Sequence, residues 1–358
     1  MKTKGLLAAS VFIAAASFGQ KATDTLLLSH YRPHSIYKTP EANIQKASAP
    51  AIDMHSHDYV EAGKGVGDWV KLMDEKGIAK TMILSYQSGK GFDSVVEKYK
   101  RYPGRFTIWC GFDYTGYGTP GWEKHAVAEL ERCYKKGARG LGELGDKGTG
   151  ELYSKPASGK GLHIDDPQMK PLLQKCAELH MPVSIHVAED QWMYETPDST
   201  NDGLMNGATW HVSMNEPGKL GHDELIASLE HAVRDNPKTT FVACHLANTC
   251  SNLSVLGNLL DKYPNLYADV AARYGEIAPI PRAAATFITK YADRIVYGTD
   301  NSPDNDMYLA TFRILESADE HFYYPEMFNY HWALYGLHLP KEVLEKVYRK
   351  NAEKIMSR

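Results

Sequence analysis

The sequence predicts a single α/β domain, a (β/α)8 TIM barrel with long loops after its fourth and fifth strands. Three observations lead there. From residue 51 onward, short apolar runs alternate with longer segments of helical period, the pattern of repeated βαβ units. Eight such apolar runs occur, and residues 51–358 match the usual size of one barrel. No repeat or low-complexity block breaks the rhythm, so residues 51–358 read as one domain.

The eight expected strands, in order, are "AIDM" (51–54), "TMILS" (81–85), "FTIWCGF" (106–112), "ARGLGEL" (138–144), "PVSIHV" (182–187), "TFVACHL" (240–246), "NLYADVA" (265–271) and "RIVYGTD" (294–300). Between them lie helix-period segments such as "GDWVKLMDEKG", "EKHAVAELERCYKKG" and "DELIASLEHAVRDNP". Several end in Gly or in Asn/Asp-Pro, which stop a helix before the next strand. Two connections exceed the usual few residues: Gly145 to Asp165 and Ala188 to His222. Long βα loops of a barrel sit at its catalytic mouth. The second loop carries Trp192, Tyr194 and Trp210, and Trp192 and Trp210 are expected to flank a cyclic substrate; packing within the loop is the plainer alternative.

The start of the chain is set apart from this domain. Lys2 and Lys4 precede the apolar run "GLLAASVFIAAASFG", too short for a flanked membrane-spanning helix and ending in small residues. Residues 1–20 therefore read as a secretory signal, and the expected location is periplasmic or secreted. No cysteine follows the run, which speaks against a lipid anchor. Residues 21–50 are a polar connector expected to wrap the surface or stay mobile.

Composition narrows the partners. A net charge of −4 with no basic stripe argues against nucleic acid, and no second long apolar segment suggests membrane anchoring. The expected partner is a small molecule, and two Trp-rich loops leave a homodimer contact near the mouth open. The five cysteines lie among apolar neighbours without a CxxC; buried free thiols are expected, with one disulfide as the alternative.

Function is carried by polar residues at strand ends. His55 and His57 follow the first strand with the i, i+2 spacing that aims both side chains the same way. Glu143, His186, His245 and Asp300 occupy the ends of the fourth, fifth, sixth and eighth strands. Each residue alone has a plainer role, such as a hydrogen-bonded core histidine or a helix N-cap at Asp300. Together, imidazole and carboxylate suit a zinc-like divalent ion with a position left for water. Burying these carboxylates at one end of a barrel without a cation would be costly.

The pieces "DMHSH", "GELG", "SIHV", "ACHLAN", "YGTDNSP" and "LPKEVLEKVYRKNAEKIM", spread over residues 51 to 356, resemble the amidohydrolase superfamily. The resemblance is to the amidohydrolase-related branch that contains aminocarboxymuconate-semialdehyde decarboxylase and several lactonases. It implies His55, His57, His186 and Asp300 as metal ligands and His245 as the catalytic histidine of the sixth strand. A glutamate in a context like that of Glu143 bridges two metals in related nucleases, so the resemblance leaves one or two ions open and makes Glu143 a candidate ligand. The departures are the signal segment and the long fifth-strand loop.

These readings combine into metal-assisted hydrolysis of a C–O or C–N bond. Asp300 is expected to pass a proton from water to the leaving group, and His245 to polarise the scissile carbonyl. Arg273, just past the seventh strand, offers a guanidinium to a substrate carboxylate, with a structural ion pair as its plainer role. Two rivals stand beside this: non-oxidative decarboxylation, which can use the same ligands, and an exported binding protein without chemistry.

Overall fold

The computed structural model describes residues 24–324 and 330–357. The expected signal segment lies outside the described residues. Eight parallel strands follow in order: β1 Ala51–Ser56, β2 Ile78–Leu84, β3 Phe106–Trp109, β4 Leu141–Asp146, β5 Val183–Val187, β6 Phe241–Ala243, β7 Leu266–Asp269 and β8 Ile295–Val296. Each pairs with its sequence neighbour within the sets β1–β3 and β4–β8. Two joints close the ring. Between β3 and β4, Cys110 N donates to Gly140 O (3.0 Å) and Gly142 N to Cys110 O (2.8 Å). Between β8 and β1, Met54 N donates to Tyr297 O (2.9 Å) and Asp300 N to His55 O (2.7 Å).

Eight helices cover the strands: α1 Lys64–Lys76, α2 Gly89–Tyr99, α3 Trp122–Lys136, α4 Lys170–Glu178, α5 His222–Asp235, α6 Leu253–Lys262, α7 Pro281–Lys290 and α8 Asn305–Glu316. The first and third end on Gly77 and Gly137 in the left-handed region, where a residue without Cβ stops a helix at low cost. Asp304 caps α8 by accepting from Asp306 N and Met307 N. Among the described residues no helix is long and apolar enough to cross a membrane.

The barrel interior is filled by Ile52, Met54, Met82, Leu84, Trp109, Val242, Tyr267 and Val296. The C-terminal helix Asn351–Met356 plugs one end with Ala352 and Ile355, tied by Asn351 Nδ2 donating to Ala292 O and Ile295 O (2.7 Å each). That leaves the other end for a site. Residues of the connector lie along α8 and its following loop: Ala42 N donates to Asp319 Oδ1 (2.9 Å) and Ser48 N to Glu316 Oε1 (3.0 Å). All five cysteines are buried and free.

Strict alternation would put Ile52 and Met54 on one side of β1 and His55 and His57 on opposite parity. Both sets nevertheless reach the barrel axis, because Asp53 faces Thr81 while Ser56 faces Ile83, three residues against two. This bulge re-aims the strand, as extra residues next to sites commonly do. The same count recurs on β4, where Leu141 faces Val183 and Leu144 faces Ile185, bracketing Glu143. β6 is also shorter than its apolar run: His245, Leu246, Ala247 and Asn248 all adopt positive φ, so His245 leaves the strand on a tight left-handed turn.

Candidate metal centre

Four imidazoles and two carboxylates from β1, β4, β5, β6 and β8 converge at the open end of the barrel. Each imidazole spends one ring nitrogen on a fixed partner. His55 Nδ1 meets Asp269 Oδ2 (2.9 Å), His57 Nδ1 meets Leu84 O (2.8 Å), His186 Nε2 meets Ala188 O (2.8 Å) and His245 Nδ1 meets Ala271 O (2.8 Å). All four partners are acceptors, so in a neutral ring these nitrogens carry the proton and the opposite ones present lone pairs.

The lone pairs point at carboxylate oxygens. His57 Nε2 lies 3.0 Å from Asp300 Oδ1 and 3.5 Å from Glu143 Oε2. His55 Nε2 lies 3.6 Å and 3.8 Å from the same two atoms and, among the described residues, has no hydrogen-bond partner although fully buried. On the other side, Glu143 Oε1 faces His186 Nδ1 at 3.0 Å and His245 Nε2 at 3.4 Å. Asp300 Oδ2 lies 3.8 Å from His245 Nε2.

Acceptor facing acceptor at this range is unfavourable unless a positive charge sits between them. The spacing itself fits one: ligands about 2.1 Å from a tetrahedral ion lie roughly 3.4 Å apart. His55, His57 and Glu143 form one such group, His55, His245 and Asp300 a second, and Glu143, His186 and His245 a third. The donor set of imidazole nitrogen and carboxylate oxygen suits a zinc-like or manganese-like ion. The residues present therefore fit a divalent cation.

Electrostatics follow the geometry. Burial alone would raise Glu143, but the imidazoles of His186, His245 and His55 around it bring its carboxyl well below the usual range. Asp300 behaves alike, with burial outweighed by His55, His57 and His245. Burial lowers His245, consistent with a neutral ring. Because its Nδ1–H is committed to Ala271 O, the neutral ring offers Nε2 as a lone pair toward Glu143 and Asp300.

Supporting residues hold this arrangement. Asp269 orients His55 and also accepts from His245 N (2.8 Å) and Ala271 N (3.0 Å), so one carboxylate fixes two of the imidazoles. Asp53 ties β1 to β8 through Thr299 Oγ1 (2.7 Å) and Thr299 N (3.0 Å). Tyr86, just after β2, stacks on His57 (centroids 4.7 Å apart, 15° between planes) and brings its hydroxyl within 3.0 Å of His57 Nε2 and 3.1 Å of Glu143 Oε2. Tyr59 donates to Asp300 Oδ1 (3.2 Å). Sequence reasoning missed Asp269, Tyr86 and Tyr59 as members of this site.

Three expected substrate contacts lie outside the cluster. Trp210 is half exposed and sits over Lys147 Nζ at 5.4 Å, and Lys147 pairs with the buried Glu189 beside His186. Trp192 packs against Trp332 (centroids 5.2 Å) and over Gly203, where a Cβ would lie 2.3 Å from the indole. Arg273 is buried, with Nε donating to Asn248 Oδ1 (3.0 Å) and Nη1 to Ala272 O (2.9 Å), and with Glu189 and Glu276 each 3.8 Å away. Its guanidinium is thus engaged by groups of the protein.

Glu276 in this network has a consequence for stability. Burial pushes its carboxyl up to about 7, opposed by Arg273 and the Tyr330 hydroxyl and aided by Asp190. Its folded pKa lies above its unfolded one, so the contribution is present below about pH 4.5 and is lost as pH rises through 7. Glu276→Gln is expected to stabilise the protein by about 3 kcal/mol at pH 8 and to be near neutral at pH 4. Urea unfolding at both pH values checks this, and an equal effect at both would refute it.

Comparison with known proteins gives the geometry its context. None of the curated proteins compared with the chain matches it. Among solved structures, an uncharacterized TIM-barrel protein from Bordetella bronchiseptica is 15% identical with TM-score 0.51, covering 86% of this chain and 98% of that one. A 5-carboxyvanillate decarboxylase from Novosphingobium aromaticivorans, complexed with manganese, is 13% identical with TM-score 0.52, covering 89% and 100%. An amidohydrolase from Burkholderia multivorans with bound zinc is 11% identical with TM-score 0.51, covering 86% and 99%. These likenesses establish the α/β-barrel fold. The sequence model of the amidohydrolase family matches residues 52–357, essentially the whole barrel, and the chain belongs to that family.

Proposed function

We propose that this protein is a metal-dependent hydrolase that cleaves a C–O or C–N bond of a small cyclic lactone, ester or amide. The observation that carries the reading is the division of Glu143: Oε2 faces His55 and His57, while Oε1 faces His186 and His245. A carboxylate so shared suits two divalent cations, with His55, His57 and Asp300 holding one and His186 and His245 the other. When bound, such a cation lowers the pKa of water from about 15.7 toward roughly 7.

The chain's own residues supply the rest. Glu143 and Asp269 are buried, whereas the Asp300 side chain keeps 23% of its surface exposed, so a substrate can reach it. Asp300 takes a proton from the attacking water and returns it to the leaving oxygen or nitrogen. Tyr59 holds the Asp300 carboxylate in orientation through its hydrogen bond. The engaged state of Arg273 and Lys147 favours a neutral substrate over a carboxylate, because neither cation is left for an acid group.

Elemental analysis of the purified protein and a product assay test this together. Two equivalents of divalent metal, with ring opening or a new carboxylate from a lactone, ester and amide panel, are expected. Carbon dioxide release with the ring retained would replace hydrolysis by decarboxylation. Well under one equivalent of metal, unchanged in His186→Ala, would favour a binding protein. We propose further that the mature chain is exported after removal of residues 1–20, which N-terminal sequencing of the mature protein checks.

A further inference from the structure

We propose that the Tyr86 hydroxyl is a catalytic hydrogen-bond donor to the oxyanion formed when water adds to the substrate carbonyl. The inference rests on the hydrolytic reading above. A phenol has one proton, and that of Tyr86 has two acceptors within reach, His57 Nε2 at 3.0 Å and Glu143 Oε2 at 3.1 Å. Both are among the atoms that hold a cation. With a cation bound, His57 Nε2 has no lone pair to spare and Glu143 Oε2, sharing its charge with the cation, is a weakened acceptor, so a full oxyanion formed within reach is the stronger acceptor for the Tyr86 proton.

The surroundings define where that acceptor comes from. On one side the ring is stacked on His57, and Tyr153 stands edge-on at 6.2 Å. Tyr86 is only partly buried, so the remaining approach is from the mouth, where substrate enters. No imidazole competes for the role, since the ring N–H groups of His55, His57, His186 and His245 are given to Asp269, Leu84 O, Ala188 O and Ala271 O. Tyr59 gives its proton to Asp300. Among the described residues, Tyr86 is the hydroxyl donor that touches both His57 Nε2 and Glu143 Oε2.

Its seat is built at some cost. Tyr86 has φ 57°, a left-handed conformation unfavourable for an aromatic residue. Its carbonyl accepts from Lys155 N (2.8 Å) and Ser154 Oγ (3.2 Å), so the loop after β4 holds it there. Gly111 leaves the space for that carbonyl, because a Cβ would lie 2.4 Å from Tyr86 O. Backbone strain retained at a site residue points to function.

In the step itself, the water oxygen bonds to the carbonyl carbon and the carbonyl π pair moves onto oxygen. Tyr86 meets that charge by hydrogen bonding without giving up its proton. Asp300 accepts the water proton and delivers it to the leaving atom as the C–O or C–N bond breaks, yielding an acid and an alcohol or amine. The donor must sit where charge develops, not where the ground-state carbonyl oxygen rests.

The test is Tyr86→Phe in the metal-loaded protein, with inorganic phosphate as a tetrahedral oxyanion probe read by calorimetry. Phenylalanine keeps the stacking on His57 and removes only the hydroxyl. Expected are unchanged metal content, phosphate affinity lowered roughly 10- to 100-fold, and kcat lowered about 100- to 1,000-fold with KM little changed. Equal phosphate affinity overturns the donor role, and loss of a metal equivalent overturns it in favour of a ligand role. If the variant does not fold, 3-fluorotyrosine at position 86, a stronger donor, is expected to tighten phosphate at pH 6, and no change overturns the proposal. Failure of the hydrolytic reading appears separately, as a wild-type protein that binds phosphate but opens none of the panel substrates.

Discussion

Asp300→Asn will lower kcat by a factor of about 100 to 10,000, the usual contribution of a positioned acid–base group, while leaving metal content close to wild type. The choice of asparagine matters. Asp300 has φ 52°, and Asn shares with Asp the ability to occupy that left-handed region, so the backbone bond from Asp300 N to His55 O is kept. Asn also keeps one carbonyl oxygen where Oδ1 lies 3.0 Å from His57 Nε2. What it loses is the capacity to take and return a proton. Metal analysis beside steady-state kinetics separates the two functions of this side chain. A variant that retains more than a tenth of wild-type kcat would remove Asp300 as the proton carrier. One that loses both metal and activity would make it a ligand first.

How much of this was legible before the fold was known depends on what each residue's position requires. The eight strands and their order follow from apolar runs, because a parallel strand buried on both faces must be apolar throughout. The strand-end histidines and acids stand out for the same reason, as polar residues at the end of such runs. Asp269 carries the identical signal in "NLYADVA", and reading the seventh strand like the others would have found it. The bulges on β1 and β4 were not legible: they are set by pairing against β2 and β5, and without them period-2 alternation leaves Ile52 and His55 on opposite sides. Nor were the left-handed turns at Tyr86 and His245, which tertiary contacts impose on residues that do not favour them. The proton positions on the four imidazoles are the clearest case. They depend on acceptors that the fold brings up, Asp269, Leu84 O, Ala188 O and Ala271 O, and they leave Nε2 as the lone pair of a neutral His245.

The same logic of shared oxygens makes Glu143 the most sensitive position in the site. Its two oxygens serve two histidine pairs, and Gln can present only one oxygen, its amide nitrogen having no lone pair to offer. Glu143→Gln is therefore expected to lose about one metal equivalent of two, and to lower kcat/KM by roughly 1,000-fold or more, since the several kcal/mol a cation contributes to the transition state correspond to that factor. The side chain change is nearly isosteric, and the Tyr86 hydroxyl can still donate to the retained oxygen, so the fold should persist. Chelation of the wild-type protein provides the matching measurement. Removing one ion present at 1,000 times its Kd withdraws about 4 kcal/mol of stability, a fall in Tm of roughly 6 °C for a domain of this size, and removing two about twice that. Glu143→Gln should show a smaller fall on chelation than wild type, because it has less metal to lose. If the variant keeps two equivalents and the wild-type fall in Tm, Glu143 does not join the two groups of histidines. If the wild type itself holds a single ion, Oε1 of Glu143 orients His186 and His245 instead of sharing a second cation with them.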